Sequence, residues 1–540
     1  MFSETDREVL SHAAAKAAGG RTVLAVAAYG SKVAGYARPD SDYDLIVVVN
    51  ALRPHAKYVY GEVDGRQFSA LVVETEALMK DADAGFLGEF VAGRLLNVYE
   101  PIIGSEYLAD IESRIKKRVV LEAIDELLER YGAFAEEMLI PPSYFLFNKL
   151  KKRAFVYPPV LYSYVKTYSP PVKESNLAAS LKGFELVLNA IVAEGFMTRV
   201  NGYCVLTKEA EAKIKAPRMA EMLRIAERGI KQYITHGFAG AVGPDTAIKE
   251  LVSKISRTKK MKELPLELEE PRSLIKLPEG KLVFKSDWLQ EALKDLGLKE
   301  PYHLTTESMG DFFSTASLYT VRQGELATRL VAKRFQDLWS FKWVVANLMT
   351  VTAKQFESKP LTRMTREYRG TIGLRRAGVM TPRVLVVAPD ERIMVKEYVT
   401  GESLEGLTKR ALDGDASALE KVERFGEALG QIHSMNYCLG DSKPSNVLFN
   451  AEGIHVVDLE QTEEGGDQPW DIVEYLYYST ITVSSPDQAR QLVRVFKKGY
   501  LKAGPPENLR RASDSRYAIP FQMLVQPPVV TTIKGELEAS

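Results

Sequence analysis

Sulfur is scarce in this 540-residue chain, which has only two cysteines, Cys204 and Cys438. Two thiols cannot build a disulfide scaffold or a thiolate zinc site, so a reducing cytoplasm is the expected location. Histidine is nearly as rare, six in all, and none stands at metal-ligand spacing. No uninterrupted apolar run approaches a membrane span; the closest, around Val344–Val351, is short, so no membrane partner is expected. The opening residues, MFSETDREVL, are polar and acidic, unlike a signal peptide. Internal repeats and low-complexity tracts are absent. Net charge is absent too, with 71 basic and 71 acidic side chains. What remains is ordinary globular composition, 46% hydrophobic and 26% charged, which excludes disordered, collagenous and coiled-coil classes.

The neutrality is a cancellation. Residues 1–110 carry a net charge of −6, residues 111–260 of +9, and residues 261–540 of −3. A basic middle between two acidic ends predicts separate modules and leaves RNA or DNA binding open for the middle one. The punctuation divides the chain into residues 1–108, a helical region 109–235, a linker 236–299, a module 300–515 and a flexible tail 516–540. The first module alternates a helix over Glu4–Ala18, strands over Thr22–Ala28 and Asp44–Val49, and a hairpin turning at Asp64-Gly65.

In that module the run AAYGSKVAGYARPDSDYDLIVVV places Gly30-Ser31 after one apolar strand and Asp42 and Asp44 at the start of the next. Two residues apart on a strand, both carboxylates face one side. Such a pair suits Mg²⁺ or Mn²⁺ shared with phosphate oxygens, and the glycine lets a triphosphate approach the backbone. These residues resemble the polymerase-β-type minimal nucleotidyltransferases over roughly residues 20–105. The resemblance implies a triphosphate on Gly30-Ser31 and divalent metal on Asp42 and Asp44. The family's third carboxylate is missing: Ser69 stands where it is expected, and Glu74 lies at the strand's far end.

The middle stretch, ESNLAASLKGFELVLNAIVAEGFMTRVNGYCVLTKEAEAKI, has a helix ending near Glu194-Gly195, a hairpin turning at Asn201-Gly202, and a following helix. It is similar to winged helix-turn-helix domains. The resemblance implies an RNA or DNA surface within residues 140–210, with Lys173, Asn176, Lys182 and Arg199 as contacts. A protein-binding or purely spacing role is the alternative.

The module from residue 300 holds the most complete chemical set. Lys333 lies in the strand LVAKRF, Glu367 on a helix, Glu397, Tyr398 and Val399 in a hinge-like segment, Asp441, Lys443 and Asn446 in LGDSKPSNVLF, and Asp458 in VVDLEQ. Phosphoryl transfer from ATP needs such a lysine, a carboxylate to orient it, a base and metal ligands. The order and spacing resemble the protein-kinase-like fold in its atypical branch, the RIO-type kinases and the small kinase of the KEOPS complex. The resemblance implies a bilobal domain with Lys333 on the α/β-phosphates and Glu367 as its partner. It further implies Asp441 at the acceptor hydroxyl, Lys443 on the γ-phosphate and Asn446 and Asp458 on metal. Gly310 alone represents the glycine-rich loop, Leu439 replaces the histidine that steadies the catalytic loop, and Asp471 is expected to brace that loop from the next helix.

The expected whole is a multidomain α/β and α+β protein. It comprises a nucleotidyltransferase fold that transfers or senses an NTP, a winged helix, and an ATP- and Mg²⁺-dependent atypical Ser/Thr kinase acting on a protein or on itself. A small-molecule kinase and a nucleotide-gated nucleic-acid-binding regulator are the alternatives.

Overall fold

A computed structural model describes residues 2–213, 231, 264–284, 287–309, 316–336 and 357–539. Gly310 and Val344–Val351 lie outside the described residues. The chain divides into two compact units, Met1–Lys276 and Leu277–Ser540.

The first unit opens with α1 (Glu4–Ala18), started by a reciprocal Ser3/Asp6 capping box and closed by Gly19 in the left-handed region. Leu10, Ala13, Ala14 and Ala17 form its buried stripe. That stripe packs on a five-stranded sheet of β1 (Val23–Tyr29), β2 (Tyr43–Val49), β3 (Ala56–Val63), β4 (Arg66–Glu74) and β5 (Glu100–Ile103), ordered β3-β4-β2-β1-β5. β2 and β4 run parallel and the other pairs antiparallel. β3 and β4 turn at Asp64-Gly65, both at positive φ, as the hairpin signal predicts. α2 (Thr75–Ala84) follows, capped by the Glu74 carboxylate accepting from the Ala77 N–H at 2.8 Å.

The loop after α2 is built around a buried carboxylate. Asp81 is fully buried and accepts backbone N–H bonds from Leu87, Glu89, Val91 and Ala92 at 2.8–3.2 Å. Burial nevertheless raises its pKa, against the N–H groups of Ala92, Glu89 and Leu87. Glu89, buried at positive φ, binds Arg118 at 2.8 Å, Lys149 at 2.7 Å and Arg153 at 3.2 Å. These partners come from α3 (Ser105–Tyr131) and α4 (Pro142–Val156), so the loop and both helices form one block.

The unit continues with α5 (Leu161–Thr167), α6 (Lys173–Ala193) and the hairpin β6 (Met197–Val200)–β7 (Tyr203–Leu206). Lys116 on α3 is buried against α6, donating to Ser180 O at 2.7 Å and to Glu112 at 2.5 Å. A Cβ at Gly183 would strike Glu112, which explains glycine there. Among the described residues α6 is the one helix long and apolar enough to cross a membrane, by length and composition alone. Its Phe184, Val187, Leu188 and Ile191 are buried in the unit.

In the second unit a six-stranded sheet runs in the order β8-β12-β13-β11-β10-β9. Its strands are β8 (Lys281–Leu282), β9 (His303–Met309), β10 (Ala316–Gln323), β11 (Leu326–Arg334), β12 (Val384–Ala388) and β13 (Ile393–Glu397). α7 (Trp288–Asp295) packs on it through Ala292 and Leu293, and α8 (Pro360–Arg376) lies between β11 and β12 in sequence. The rest is mainly helical: α9 (Leu404–Leu412), α10 (Ala416–Ser434), α11 (Gln468–Ser479), α12 (Pro486–Tyr500) and α13 (Pro527–Glu538). They share a core containing Phe425, Trp470, Tyr475 and Phe496. α10 and α12 touch at backbone range, since Gly426 abuts Phe496 O and Gly499 abuts Glu423 O.

Two segment expectations are corrected. Of the expected linker 236–299, residues 236–263 and 285–286 lie outside the described residues, and 264–284 and 287–299 are not a linker. Lys276 pairs with Leu139 in the first unit, whereas β8 extends the second unit's sheet alongside β12. The apolar residues Leu268, Ile275, Leu282 and Leu293 anchor this segment, hidden in the sequence among Pro and charge. Nor is 516–540 a flexible tail. Val529, Val530, Ile533 and Leu537 fall at helical spacing and are buried, and Pro527-Pro528 start the helix rather than break it. Ile533→Ala should cost about 2–5 kcal/mol of second-unit stability in denaturant unfolding. The exposed Glu538→Ala should stay within about 0.5 kcal/mol.

Candidate functional site

In the second unit β11 and β13 pair with Val331 opposite Lys396 and Lys333 opposite Met394. Side chains alternate, so Lys333 and Lys396 emerge on the same face, with Lys396 one step nearer the hinge-like segment. Glu367, fully buried on α8, meets both lysines. Its Oε2 accepts from Lys333 Nζ at 2.8 Å and its Oε1 from Lys396 Nζ. Lys333 also contacts Asp458, and Glu460 at 2.8 Å. Glu460 in turn takes the Arg363 guanidinium at 2.7 and 2.9 Å.

Glu367, Asp458 and Glu460 converge closely enough to hold a cation. Lys333 already fills that role, so the trio serves as the cradle of its ammonium. Burial opposes the charge of Lys333, yet Asp458, Glu367 and Glu460 push its pKa well above the usual value. The carboxyls respond in the opposite sense. Burial would raise Asp458 and Glu367, but Lys333 and then Lys396 hold both below their ordinary range.

Asp458 sits at φ 59°, a left-handed conformation that costs a non-glycine residue energy and clusters at working sites. It is also the most open member of the group, with 41% of its side chain exposed. β15 (Val447–Phe449) and β16 (Ile454–Val456) lead into it, and Val457 N–H donates to Asn446 O at 2.9 Å. That bond ties Asp458 to the segment carrying Asp441, Lys443 and Asn446. Within the segment Lys443 pairs with Asp441 at 2.8 Å, and Asn446 Nδ2 donates to Asp441 O at 3.1 Å. Burial opposes the Lys443 charge, but Asp441 and Glu474 raise its pKa. The Asn446 side-chain oxygen and the exposed Asp458 carboxylate are hard oxygen donors, a set that fits Mg²⁺ or Mn²⁺.

The loop has the brace expected of Asp471. That carboxylate, fully buried in the first turn of α11, accepts the N–H of Leu439 at 2.6 Å and of Gly440 at 2.7 Å. His433 Nε2 approaches Asp471 at 3.1 Å, and Tyr500 O–H lies 2.7 Å from His433 Nδ1. In the neutral imidazole, Nε2–H donates to the carboxylate and Nδ1 accepts from Tyr500. The Leu439 backbone N–H thus supports the loop at this position. Ser442 adds a bond from its N–H to Glu474 at 2.7 Å. β14 (Tyr437–Cys438) pairs with β17 (Glu463–Glu464), closing the short stretch between Asp458 and α11. Cys438 is buried there with its thiol on Asp471 and Asp467 O.

In the hinge-like segment Glu397 N–H donates to Arg383 O at 3.0 Å and Tyr398 N–H to Arg329 O at 3.4 Å. Glu397's side chain is held by Arg383 at 2.9 Å. Val399 lies two residues beyond the strand end at Glu397 and is half-buried. Lys396, Arg363, Glu460 and Glu474 were not singled out from the sequence. A lysine in the apolar strand IMVKEY was the one available signal.

In the first unit the sheet register sets Tyr60, Ser69, Asp44 and Tyr29 in one row across β3, β4, β2 and β1. Ser69 is thus the strand neighbour of Asp44, where a third carboxylate would stand, and Glu74 is occupied as a helix cap. Gly30 has φ 82° and a Cβ there would collide with the Asp44 carboxylate, so the Gly-Ser turn and Asp44 are in contact range. Asp42 is half-buried just before β2.

The middle region places its proposed contacts differently. Asn176 is buried, donating to Ala34 O at 2.9 Å and Thr167 O at 3.0 Å, which corrects its expected role as a nucleic-acid contact. Packing of the α6 N-terminus on the turn after β1 consumes its amide. Lys173 pairs with Glu267 at 2.5 Å, Arg199 pairs with Glu185, and Lys182 is exposed.

No protein-family profile and no curated protein matches the chain. Among solved structures it is similar to one described as "WaaP in complex with acyl carrier protein". That likeness has 12% identity and a TM-score of 0.25, and spans 41% of this chain and 88% of the other.

The depressed Asp458 and Glu367 carboxyls contribute stability that is present above their ordinary values, 3.8 and 4.5, and lost as pH falls through the lowered ones. Glu367→Gln should therefore reduce second-unit stability at pH 7 and flatten its dependence below about pH 5, read by urea unfolding across pH.

Proposed function

We propose that the second unit is a protein-kinase-like, ATP- and Mg²⁺-dependent phosphotransferase acting on Ser or Thr hydroxyls, the chain's own included. The first unit binds a nucleoside triphosphate, to transfer or to sense it. The observation that carries the reading is the buried Lys333–Glu367 pair converging with Asp458 at positive φ. A lysine locked by a helix carboxylate, with a metal-binding aspartate alongside, is what positioning of a polyphosphate requires.

In this reading Lys333 binds the α/β-phosphates, oriented by Glu367, and the backbone of Glu397–Val399 meets the base. Asn446 and Asp458 hold Mg²⁺, which when bound neutralises phosphate charge. Asp441 orients the acceptor hydroxyl and accepts its proton as the new O–P bond forms. The bond from the γ-phosphorus to the β–γ bridging oxygen breaks, and ADP leaves. Lys443, beside Asp441, offsets charge on the transferring group.

Incubation with γ-labelled ATP and Mg²⁺ should label the chain. Asp441→Asn and Asp458→Ala should each lower the rate by about 100-fold or more, while Asp42→Ala/Asp44→Ala should not. Label reaching only small alcohols or sugars would retain phosphotransfer and remove the protein acceptor. No transfer to any acceptor would remove the proposal.

A further inference from the structure

We propose that the first unit holds its nucleoside triphosphate with a single divalent cation, the fixed guanidinium of Arg94 supplying the second positive charge, so that the nucleotide is held and not transferred. This rests on the reading of Gly30-Ser31, Asp42 and Asp44 as a nucleotide site.

Arg94 lies in a short 3₁₀ turn, Ala92–Leu96, over the sheet face that bears Asp44. Its Nη2 donates to Tyr58 O–H at 2.8 Å, and the guanidinium lies 4.4 Å from the Phe90 ring centre and 5.3 Å from that of Tyr29. Tyr29 stands opposite Asp44 in the β1–β2 register. Burial opposes the charge, but Tyr29, Tyr58 and Asp44 together raise the Arg94 pKa, so the group is permanently cationic within the field of Asp44.

The backbone that carries this cation is fixed, and its guanidinium is held by Tyr58. Its turn hangs on the four N–H bonds to Asp81 and on the Glu89 cluster, and the Arg153 guanidinium occupies the space where a Gly93 Cβ would be. Two Mg²⁺ ions clamping one phosphoryl group need carboxylates that face both. Beside Asp44 the strand offers the Ser69 hydroxyl, a neutral and weak ligand, and above it stands a fixed positive charge. A first cation on Asp42 and Asp44 keeps its ligands, whereas a second loses a carboxylate and gains a repulsive neighbour.

The turn that would cradle the phosphates is also fastened to the helical region. Asn176 of α6 donates both to Ala34 O of that turn and to Thr167 O of α5. Nucleotide bound at this turn therefore bears directly on α5 and α6.

Electron paramagnetic resonance counting of Mn²⁺ on the full chain tests this, with non-cleavable ATP, GTP, CTP and UTP analogues each at saturation. The count for wild type minus that for Asp42→Ala/Asp44→Ala should be one, together with one analogue. A difference of two overturns the inference and leaves the nucleotide reading standing. Loss of analogue without loss of Mn²⁺ also overturns it. No change in either, with every analogue, removes the nucleotide reading itself. Ser69→Asp should raise the count by one; a folded Ser69→Asp chain with an unchanged count overturns the part given to Ser69.

Discussion

One carboxylate shared between two buried lysines holds the second unit's cluster of buried charges together. Glu367 has no solvent to lean on, and neither Lys333 nor Lys396 has more than a tenth of its side chain exposed. Removing one member of such a group leaves another charge buried and uncompensated, which costs several kcal/mol. The helix carrying Glu367 is therefore pinned to β11 and β13 by charge as well as by packing. Lys333 passes the constraint on to Asp458 and Glu460, and Glu460 to Arg363 on the same helix. The loop closes on itself: helix to sheet, sheet to the segment after β16, and that segment back to the helix.

The first unit solves a related problem with different chemistry. There the sheet face bearing Asp44 is lined by phenols and a guanidinium rather than by further carboxylates. The positive charge is fixed by a backbone loop wrapped around Asp81. In both units a fixed cation from the protein stands against the carboxylate proposed to meet metal. In the second it touches Asp458 and is the lysine proposed to meet phosphate; in the first it stands on a 3₁₀ turn remote in sequence from the Asp pair.

Much of this was legible in the residues, for identifiable reasons. The resemblance to kinase motifs singled out Lys333, Asp441, Asn446 and Asp458, because those motifs are short and local in sequence, and the structure brings Lys333 against Asp458. The Asp64-Gly65 and Asn201-Gly202 turns were equally local. Arg94, Lys396 and Glu460 escaped, because their significance depends on register and on contacts between elements far apart in sequence. Asn176 misled for the same reason: a polar residue at a helix N-terminus looks like a surface contact until the neighbouring loop is seen to occupy it. The tail and linker were misjudged where Pro and charge masked an apolar stripe.

The packing of α13 has a bearing on how the chain is made. Residues 527–538 supply Val529, Val530, Ile533 and Leu537 to the core that also supports α10, α11 and α12. During synthesis every residue of the second-unit site is therefore outside the ribosome before the core beneath it is complete. Until the helix docks, the nascent unit exposes an apolar groove along α12, a window in which chaperone capture competes with closure.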